Sequence, residues 1–293
     1  MSPIPVDREA IEGLAERVRG EVITEAHTAY DEARQVFNRM IDRRPLVIVQ
    51  CAGATDVMQT VDFAREQGLP LAIRSAGHHV TGNAVCDDGV VVDLGGMKGV
   101  RIDPEGRTAR VEPGVTWGEL NHDLQTFGLG ATGGYISITG IPGLTLGGGF
   151  GWLVRKHGLA LDNLTSVDLV TADGALLTAD ESHHPDLFWA VRGAGGNFGV
   201  ATSLEFRVHP VGTVLSGLVI HPAEKAKDLM RVFREHVPDV PDELTWGVLL
   251  FRIPPVDPFP PPLHGTPVAA LAICYAGDLE EGERVLEAVR AWG

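Results

Sequence analysis

The sequence predicts an α+β fold in which short strands alternate with helices and the loops at the strand ends carry the function. The β-rich run from Leu46 to Val49 begins a series of short apolar segments separated by helical ones. The segments VRID and TARVE, separated by Pro104 to Arg107, are typical of a β-hairpin. A chain of 293 residues is long enough for one large domain or two ordinary ones.

The N-terminal segment is predicted to be helical from residue 7 to about residue 40. Ile11, Leu14 and Val18 are spaced to share one helix face, and we interpret residues 1–40 as a helical lead-in. After the first strand, Thr55 is positioned to cap a helix that ends at Gly68.

Three further elements are predicted from local patterns. Val90 to Leu94 forms a strand, and Thr116 with Glu119 forms a capping box that opens a helix over residues 117–127. A later helix carries Phe188 and Trp189, both expected in the core, before a strand over residues 200–208. Beyond Pro210 the patterns predict strands over 214–220, 244–252 and 268–275, with helices over 223–236 and from 279.

The charge balance argues against nucleic acid and anionic membranes as partners. The chain has 24 Lys and Arg against 39 Asp and Glu, a net charge of −15. It has neither an apolar run of membrane-spanning length nor the pattern of a signal peptide, so we expect a cytoplasmic protein. The three cysteines form no C-x-x-C pair, which favours reduced thiols and no metal site.

The loop after the strand Leu71 to Ile73 is the first of three glycine-rich segments. Arg74 offers planar donors for an anion, and Ser75 adds a hydroxyl group. Ala76 and Gly77 allow backbone N–H groups to approach a ligand closely. The loop is therefore expected to hold a phosphate, with one of the two imidazoles that follow beside the rest of the ligand.

The second segment, Thr139 to Gly158, has seven glycines in twenty residues. It fails the dinucleotide fingerprint because Trp152 stands where the third glycine is required, and it lacks the Gly-Lys-Ser/Thr of a Walker loop. The third segment, His183 to Pro210, breaks from a helix into glycines before a strand. Three such elbows at strand ends predict a large, extended ligand.

Three motifs carry a family resemblance: R-S-A-G-H-H, T-G-x-x-G-L-T-L-G-G-G-F-G and F-W-A-x-R-G-x-G-G-N-F-G-V. They resemble the FAD-binding domain of the berberine-bridge-enzyme-like oxidoreductases, within the group that includes vanillyl-alcohol oxidase. The resemblance implies a two-subdomain, PCMH-type FAD-binding fold over residues 41–212. Residues 213–293 then resemble an incomplete α/β substrate-binding domain, an antiparallel sheet covered by helices.

The resemblance also implies which residues meet the cofactor. His78 occupies the attachment position and is expected to bond the 8α-methyl group of the flavin, with His79 nearby but unbonded. The implied cofactor-binding set is Arg74, Ser75, Ala76, Gly77, His78, His79, Gly82, Thr139, Gly140, Gly143, Gly147, Gly148, Gly149, Asn197, Gly199 and Val200.

The sequence departs from the family pattern in two places. Ile136 stands where many relatives carry a second attachment cysteine, so we expect one covalent link at most. The chain also stops after what resembles the first half of the substrate domain, so it is either a fragment or a shortened protein. The part that carries the family's usual catalytic residue is missing, and Tyr135 and His157 are the nearest candidates for a base.

The expected function is an FAD-dependent oxidoreductase that takes hydride from a carbon bearing a hydroxyl or amine group. Its partners would be a small-molecule substrate and dioxygen or another electron acceptor. One alternative is a catalytically incomplete or partner-dependent FAD-binding module. Another is an NADPH-dependent reductase of the muramate-precursor type, against which the histidine of the first motif argues, because those reductases hold FAD without a covalent bond. The substrate and the oligomeric state are left open.

Overall fold

The computed structural model describes residues 7–291, so residues 1–6 and 292–293 of the predicted domains lie outside the described residues. The chain divides into two compact units. The first runs to Gly151 and includes Leu159–His209. The second joins Trp152–Gly158 to the chain from Pro210 onward.

The first unit contains a four-stranded sheet in the order β1-β2-β4-β3. Its strands are β1 (Glu21–Ile23), β2 (Val47–Gln50), β3 (Leu71–Arg74) and β4 (Val90–Asp93), flanked by helices α1 (Arg8–Arg17), α2 (Tyr30–Ala33) and α3 (Ala54–Glu66). Strands β2, β4 and β3 are parallel, which brings their carboxyl ends to one edge. The strands are apolar on both faces because each face packs on its own core cluster.

A five-stranded antiparallel sheet in the order β5-β6-β10-β8-β9 completes this unit. Its strands are β5 (Val100–Asp103), β6 (Thr108–Val111), β8 (Leu164–Val170), β9 (Leu176–Asp180) and β10 (Val200–Arg207); β7 (Leu129–Gly130) and β11 (His209–Pro210) are two-residue strands. The unit's remaining helices are α4 (Trp117–Gln125), α5 (Ile141–Thr145) and α7 (Pro185–Ala194). Trp117, Phe188 and Phe206 lie fully buried in this sheet's core.

The second unit is a three-stranded antiparallel sheet in the order β12-β14-β13. Its elements are α6 (Val154–His157), β12 (Leu215–Pro222), α8 (Ala226–His236), β13 (Leu244–Arg252), β14 (Pro267–Tyr275) and α9 (Leu279–Arg290). Leu229 of α8 and Leu286 of α9 pack on alternate residues of β14, such as Leu271 and Ile273. The alternation of strands and helices predicted for this part of the sequence is confirmed.

The α+β class is confirmed, as are the hairpin of β5 and β6 and the capping box of α4, but three local predictions are wrong. The predicted helix over residues 7–40 ends at Arg17, because β1 follows and pairs antiparallel with β2. Thr55 does not cap α3, since it lies inside the helix and Gly53 is the N-cap. Trp189 is also misplaced: its neighbour Phe188 is buried, whereas Trp189 is 75% exposed.

Asp56 organises the junction between α1, β1 and α3. Its carboxylate is fully buried and accepts backbone hydrogen bonds from Arg19 at 3.0 Å, Gly20 at 3.0 Å and Ala52 at 2.8 Å. A buried charge is tolerated when donors surround it in this way.

Replacing this carboxylate should strongly destabilise the protein. We expect Asp56→Ala to lower the free energy of unfolding by roughly 3 kcal/mol, because three buried N–H groups lose a charged acceptor. Urea denaturation of the two proteins measures the difference. The matched control is Asp31→Ala, which removes an exposed ion pair with Arg34 and should change stability by less than about 1 kcal/mol. Equal effects of the two substitutions would contradict the assigned role of Asp56.

The three cysteines are free thiols. Burial raises the pKa of Cys51 to about 12 and the pKa of Cys86 to about 11, and it also raises the pKa of Cys274. A raised thiol pKa lowers the thiolate fraction at neutral pH, and the thiolate is the reactive species.

The native protein should therefore resist alkylation. At pH 8 we expect iodoacetamide to modify none of the three cysteines in the time that it modifies all three in urea. Mass spectrometry of the intact chain counts the added groups. Rapid labelling of Cys51 in the native protein would show that its thiol is accessible and ionised, and would contradict the raised pKa.

Candidate functional site

The loop that follows β3 presents His78 in an unusual environment. Gly77 has a φ angle of +70°, a left-handed conformation that favours glycine, and it turns the chain into the histidine pair. The ring of His78 is stacked on the ring of Phe37, with centroids 4.5 Å apart and planes at 25°. Both ring nitrogens of His78 are buried, and neither has a hydrogen-bond partner among the described residues. His79, in contrast, is exposed, and its Nδ1 lies 3.0 Å from Oγ1 of Thr81.

Arg74 does not face the open side of this loop. Its guanidinium group is buried, donates to the carboxylate of Asp93 at 2.5 Å and reaches the backbone carbonyls of Ala33 and Gln35. Asp93 is the register partner of Arg74 on the neighbouring parallel strand β4. Arg74 was expected to bind a phosphate, but in the structure its side chain binds protein groups. These contacts stabilise the start of the histidine loop.

Residues 36–43 brace the histidine loop from outside. The backbone N–H of Phe37 donates to the carbonyl of Gly77 at 3.1 Å, and the Asn38 amide donates to the carbonyl of Val80 at 2.8 Å. The Ile41 side chain fills the space where a Cβ on Gly82 would lie, 2.6 Å away. The sequence alone does not indicate this role, because the contacts join residues about 40 positions apart and leave no local signal.

The second glycine-rich segment meets the first at Gly140. A Cβ on Gly140 would lie 2.6 Å from Oγ of Ser75 and 3.1 Å from the backbone nitrogen of Ala76, so only glycine allows this approach. The Ser75 hydroxyl in turn donates to the carbonyl of Pro113 at 2.6 Å. The structure therefore brings Ser75, Ala76 and Gly140 together.

The third segment contacts the second segment directly and packs against the strand that leads into the first. The carbonyl of Leu146 accepts hydrogen bonds from the backbone N–H groups of Gly193 and Gly195, each at 2.9 Å. A Cβ on Gly196 would lie 3.4 Å from the side chain of Ile73 in β3. The three glycine-rich segments, separated widely in sequence, thus converge in the first unit.

The remaining cofactor-binding candidates divide into packed and open positions. Gly149 is packed against Leu144 and Ala160, and Gly199 against the carbonyl of Val170. A Cβ on Gly143 would meet nothing within 4 Å, and positions 147 and 148 have only distant neighbours. Other candidates contact their own segments or the core: Thr139 accepts a backbone hydrogen bond from Trp117, Asn197 donates to Ala194, and Val200 is buried.

The two candidates for a base, Tyr135 and His157, lie in different units. Their pKa values are shifted in opposite directions. Burial raises the pKa of Tyr135, whose ring packs edge-on against Phe150 with centroids 5.7 Å apart. Burial and the positive charge of Lys156 lower the pKa of His157, although Glu243 opposes them. At neutral pH Tyr135 is therefore a hydrogen-bond donor, whereas His157 is an uncharged imidazole that can accept a proton.

Several large apolar side chains of the first unit are exposed on or next to the segments of the candidate site. Val80, Phe150 and Phe198 lie within the glycine-rich segments, Tyr135, Ile136 and Ile138 directly precede the second segment, and Phe37 lies in residues 36–43. Exposed apolar surface concentrated in this way is typical of a surface that binds a ligand or another protein surface.

Comparisons with known proteins agree with this geometry. Residues 45–180 match the family model described as FAD binding domain. An FAD-linked oxidoreductase from Dictyostelium discoideum is 32% identical over 290 residues, which is 97% of this chain and 60% of that protein. Among solved structures, 6-hydroxy-D-nicotine oxidase from Arthrobacter nicotinovorans superposes with a TM-score of 0.85 at 32% identity, covering 94% of this chain and 60% of the other. The berberine-bridge-enzyme-like protein 1 of Physcomitrella patens also gives 0.85, at 25% identity over 97% of this chain and 60% of the other.

Residues 45–180 of the chain therefore match an FAD-binding domain, and the chain is similar to FAD-linked oxidoreductases. Within that class, the resemblance to the berberine-bridge-enzyme-like proteins is confirmed. The chain spans about 60% of the length of these relatives.

The site residues fit an FAD group. The imidazole of His78, which has no hydrogen-bond partner in the described structure, offers a nitrogen for a bond. Glycine-rich loops of this kind suit a diphosphate because their backbone N–H groups can bind an anion. Within residues 7–291 no cluster of three or more His, Cys, Asp or Glu side chains is arranged to hold a metal ion. None of the helices in the described part of the chain is long and apolar enough to cross a bilayer.

The close approach at Gly140 should make this position intolerant of any side chain. Gly140→Ala should lower the free energy of unfolding by about 2 kcal/mol or more, since the new Cβ pushes the Ser75 loop away. Gly143→Ala is the matched control, in the next turn and with open space around it; it should leave stability unchanged or slightly raised. Chemical denaturation of both variants tests the difference, and a stable Gly140→Ala protein would refute the contact.

Proposed function

We propose that this chain binds FAD through its three converging segments and bonds it to His78, as part of an oxidoreductase. In this proposal residues 41–212 form the FAD-binding domain and residues 213–293 a partial substrate-binding domain. The observation that carries the proposal is the half-buried His78, whose two ring nitrogens are buried and lack hydrogen-bond partners in the described structure.

A buried polar atom without a partner is costly, so it calls for an explanation. His78 lies in the R-S-A-G-H-H motif, on a loop whose conformation is set by Gly77 and by the bracing residues 36–43. A bond to a flavin uses one imidazole nitrogen directly. The new bond between that nitrogen and the 8α carbon would replace one N–H and one C–H bond, and the two protons and two electrons released would reduce dioxygen to hydrogen peroxide.

The diphosphate would be held by backbone donors. The protein carries a net charge of −15, so its overall field does not attract an anion. Arg74 is engaged by Asp93, which leaves the N–H groups of the Ser75 to Gly77 loop and of the glycine elbows as the local donors. Arg74 would then contribute by holding the loop in the binding conformation.

Bound FAD would accept a hydride from a substrate carbon that bears a hydroxyl or amine group. The chain's own contribution is to bind, to orient and to manage a proton. Of the two candidates for the base, His157 is the better suited, because its lowered pKa keeps the imidazole uncharged and able to accept a proton, whereas the raised pKa of Tyr135 disfavours the phenolate.

The relatives indicate several candidate substrate classes. The 6-hydroxy-D-nicotine oxidase among the solved structures is named for a nicotine derivative, a molecule that contains an amine, so an amine is a candidate alongside alcohols and sugars. A catalytically incomplete FAD-binding module is the alternative from another class, since the chain spans about 60% of its relatives. Ile136, at the position of a second attachment cysteine, limits the chain to one covalent link.

His78→Ala should abolish acid-stable flavin. The wild-type chain is expected to gain the mass of one FAD and to keep its yellow colour through acid precipitation, because the histidyl bond survives acid. The His78→Ala variant should carry no added mass. The neighbouring variant His79→Ala is the matched control and should retain the full covalent flavin.

Three other outcomes would redirect the proposal. Flavin that leaves the wild-type chain on acid treatment would refute the covalent bond while keeping FAD as the cofactor. Rapid anaerobic bleaching of that flavin by NADPH would favour the reductase alternative. A chain that carries the flavin, but whose flavin is not bleached by any amine, alcohol or sugar tested, would favour the incomplete module.

A further inference from the structure

We propose that Phe37 is a positioning residue that sets the orientation of the His78 imidazole for bond formation. This inference rests on the proposed covalent attachment at His78. Its basis is the stacking of the two rings, with centroids 4.5 Å apart and planes at 25°. Phe37 lies outside the three motifs and about 40 residues before the histidine.

Stacking on Phe37 can set the ring orientation of His78, because no hydrogen bond in the described structure does. A histidine ring is usually fixed by a hydrogen bond to one of its nitrogens, which sets its tautomer and direction. Neither nitrogen of His78 has such a bond. The flat contact with Phe37 therefore restricts rotation of the imidazole about its χ2 angle while leaving both nitrogens free to react.

The position of Phe37 is itself fixed by the loop that it serves. Its backbone N–H donates to the carbonyl of Gly77, the residue immediately before His78, at 3.1 Å. The buried guanidinium of Arg74 holds the carbonyls of Ala33 and Gln35, just before Phe37 in the chain. The backbone of Phe37 is thus held near His78 in two ways, by its own hydrogen bond to Gly77 and by the hydrogen bonds of Arg74 to the residues just before it.

The exposure of Phe37 supports a role other than core packing. Its side chain is 63% exposed, so it contributes little to a hydrophobic core, and its ring contact is with His78. The same exposure makes the residue suitable for substitution without unfolding the protein.

The test compares Phe37→Leu with the matched control Phe127→Leu, a residue of similar exposure at 48%. Chains produced under riboflavin limitation are mixed with saturating FAD, and acid-stable flavin is followed with time. We expect Phe37→Leu to slow bond formation roughly tenfold, because the imidazole loses its orientation. The dissociation constant for FAD before bonding should be unchanged. Phe37→Tyr, which keeps the ring, should restore the rate, and Phe127→Leu should match the wild type.

A second readout is independent of the cofactor. In the FAD-free protein, the imidazole proton resonances of His78, identified by their loss in His78→Ala, should shift in Phe37→Leu as the ring-current effect of the phenyl group disappears. They should stay in place in Phe127→Leu.

Each outcome decides the inference. Equal rates for the two leucine variants, with unmoved His78 resonances, would overturn it while leaving the covalent bond intact. A weaker affinity for FAD or a lower melting temperature in Phe37→Leu, with an unchanged bonding rate, would assign Phe37 a structural role and overturn it as well. Absence of acid-stable flavin in the wild-type chain would identify a failure of the proposed attachment itself.

Discussion

The buried ion pair between Arg74 and Asp93 is the interaction on which the arrangement of the site depends. The two residues are register partners at the carboxyl ends of β3 and β4, and their side chains meet at 2.5 Å. Asp93 also accepts the backbone N–H of Gly95 at 3.0 Å, so both ends of the pair are further hydrogen-bonded. Loss of either partner would leave an uncompensated buried charge, which is far more destabilising than loss of an exposed pair.

This pair connects three segments that are distant in sequence. Arg74 begins the histidine loop, Asp93 ends the neighbouring strand, and the guanidinium group binds carbonyls that precede the bracing segment 36–43. A buried ion pair contributes modestly to net stability, but it accepts only one geometry. Its role here is to fix the start of the histidine loop relative to residues 36–43, which contact the loop.

Much of the fold could be predicted because its signals are local. The capping box of α4 lies within four residues, and β13 and β14 of the second unit are short runs of mostly apolar residues that indicate strands. The errors arose where long-range contacts override local patterns. β1 is a strand because it completes the sheet beside β2, and Asp56, not Thr55, satisfies backbone donors because the chain before β1 approaches it. Trp189 and Phe188 are adjacent, and their own sequence does not indicate which one faces the core.

The segments of the candidate site could be identified from sequence, whereas the contacts between them could not. The three glycine-rich segments were identified from sequence, and their convergence follows from glycines that permit close approach, as at Gly140. The partners of Arg74 were not predictable, since a basic residue before a glycine elbow has the same local pattern whether it faces a ligand or a buried carboxylate. Phe37 carries no motif, and only the folded chain places its ring beside His78.

The engagement of Arg74 also changes the physical basis of the expected anion binding. A free guanidinium would attract a phosphate through its net charge, and that attraction would be weakened by salt. With its charge compensated by Asp93, the loop has peptide dipoles instead, which act over short distances and only in one orientation. This arrangement suits anion binding by an acidic protein, because the repulsion between its net charge of −15 and the anion does not have to be offset by a single cation. For anion binding, the exact conformation of the loop then matters more than its charge, and this conformation depends on the contacts with residues 36–43.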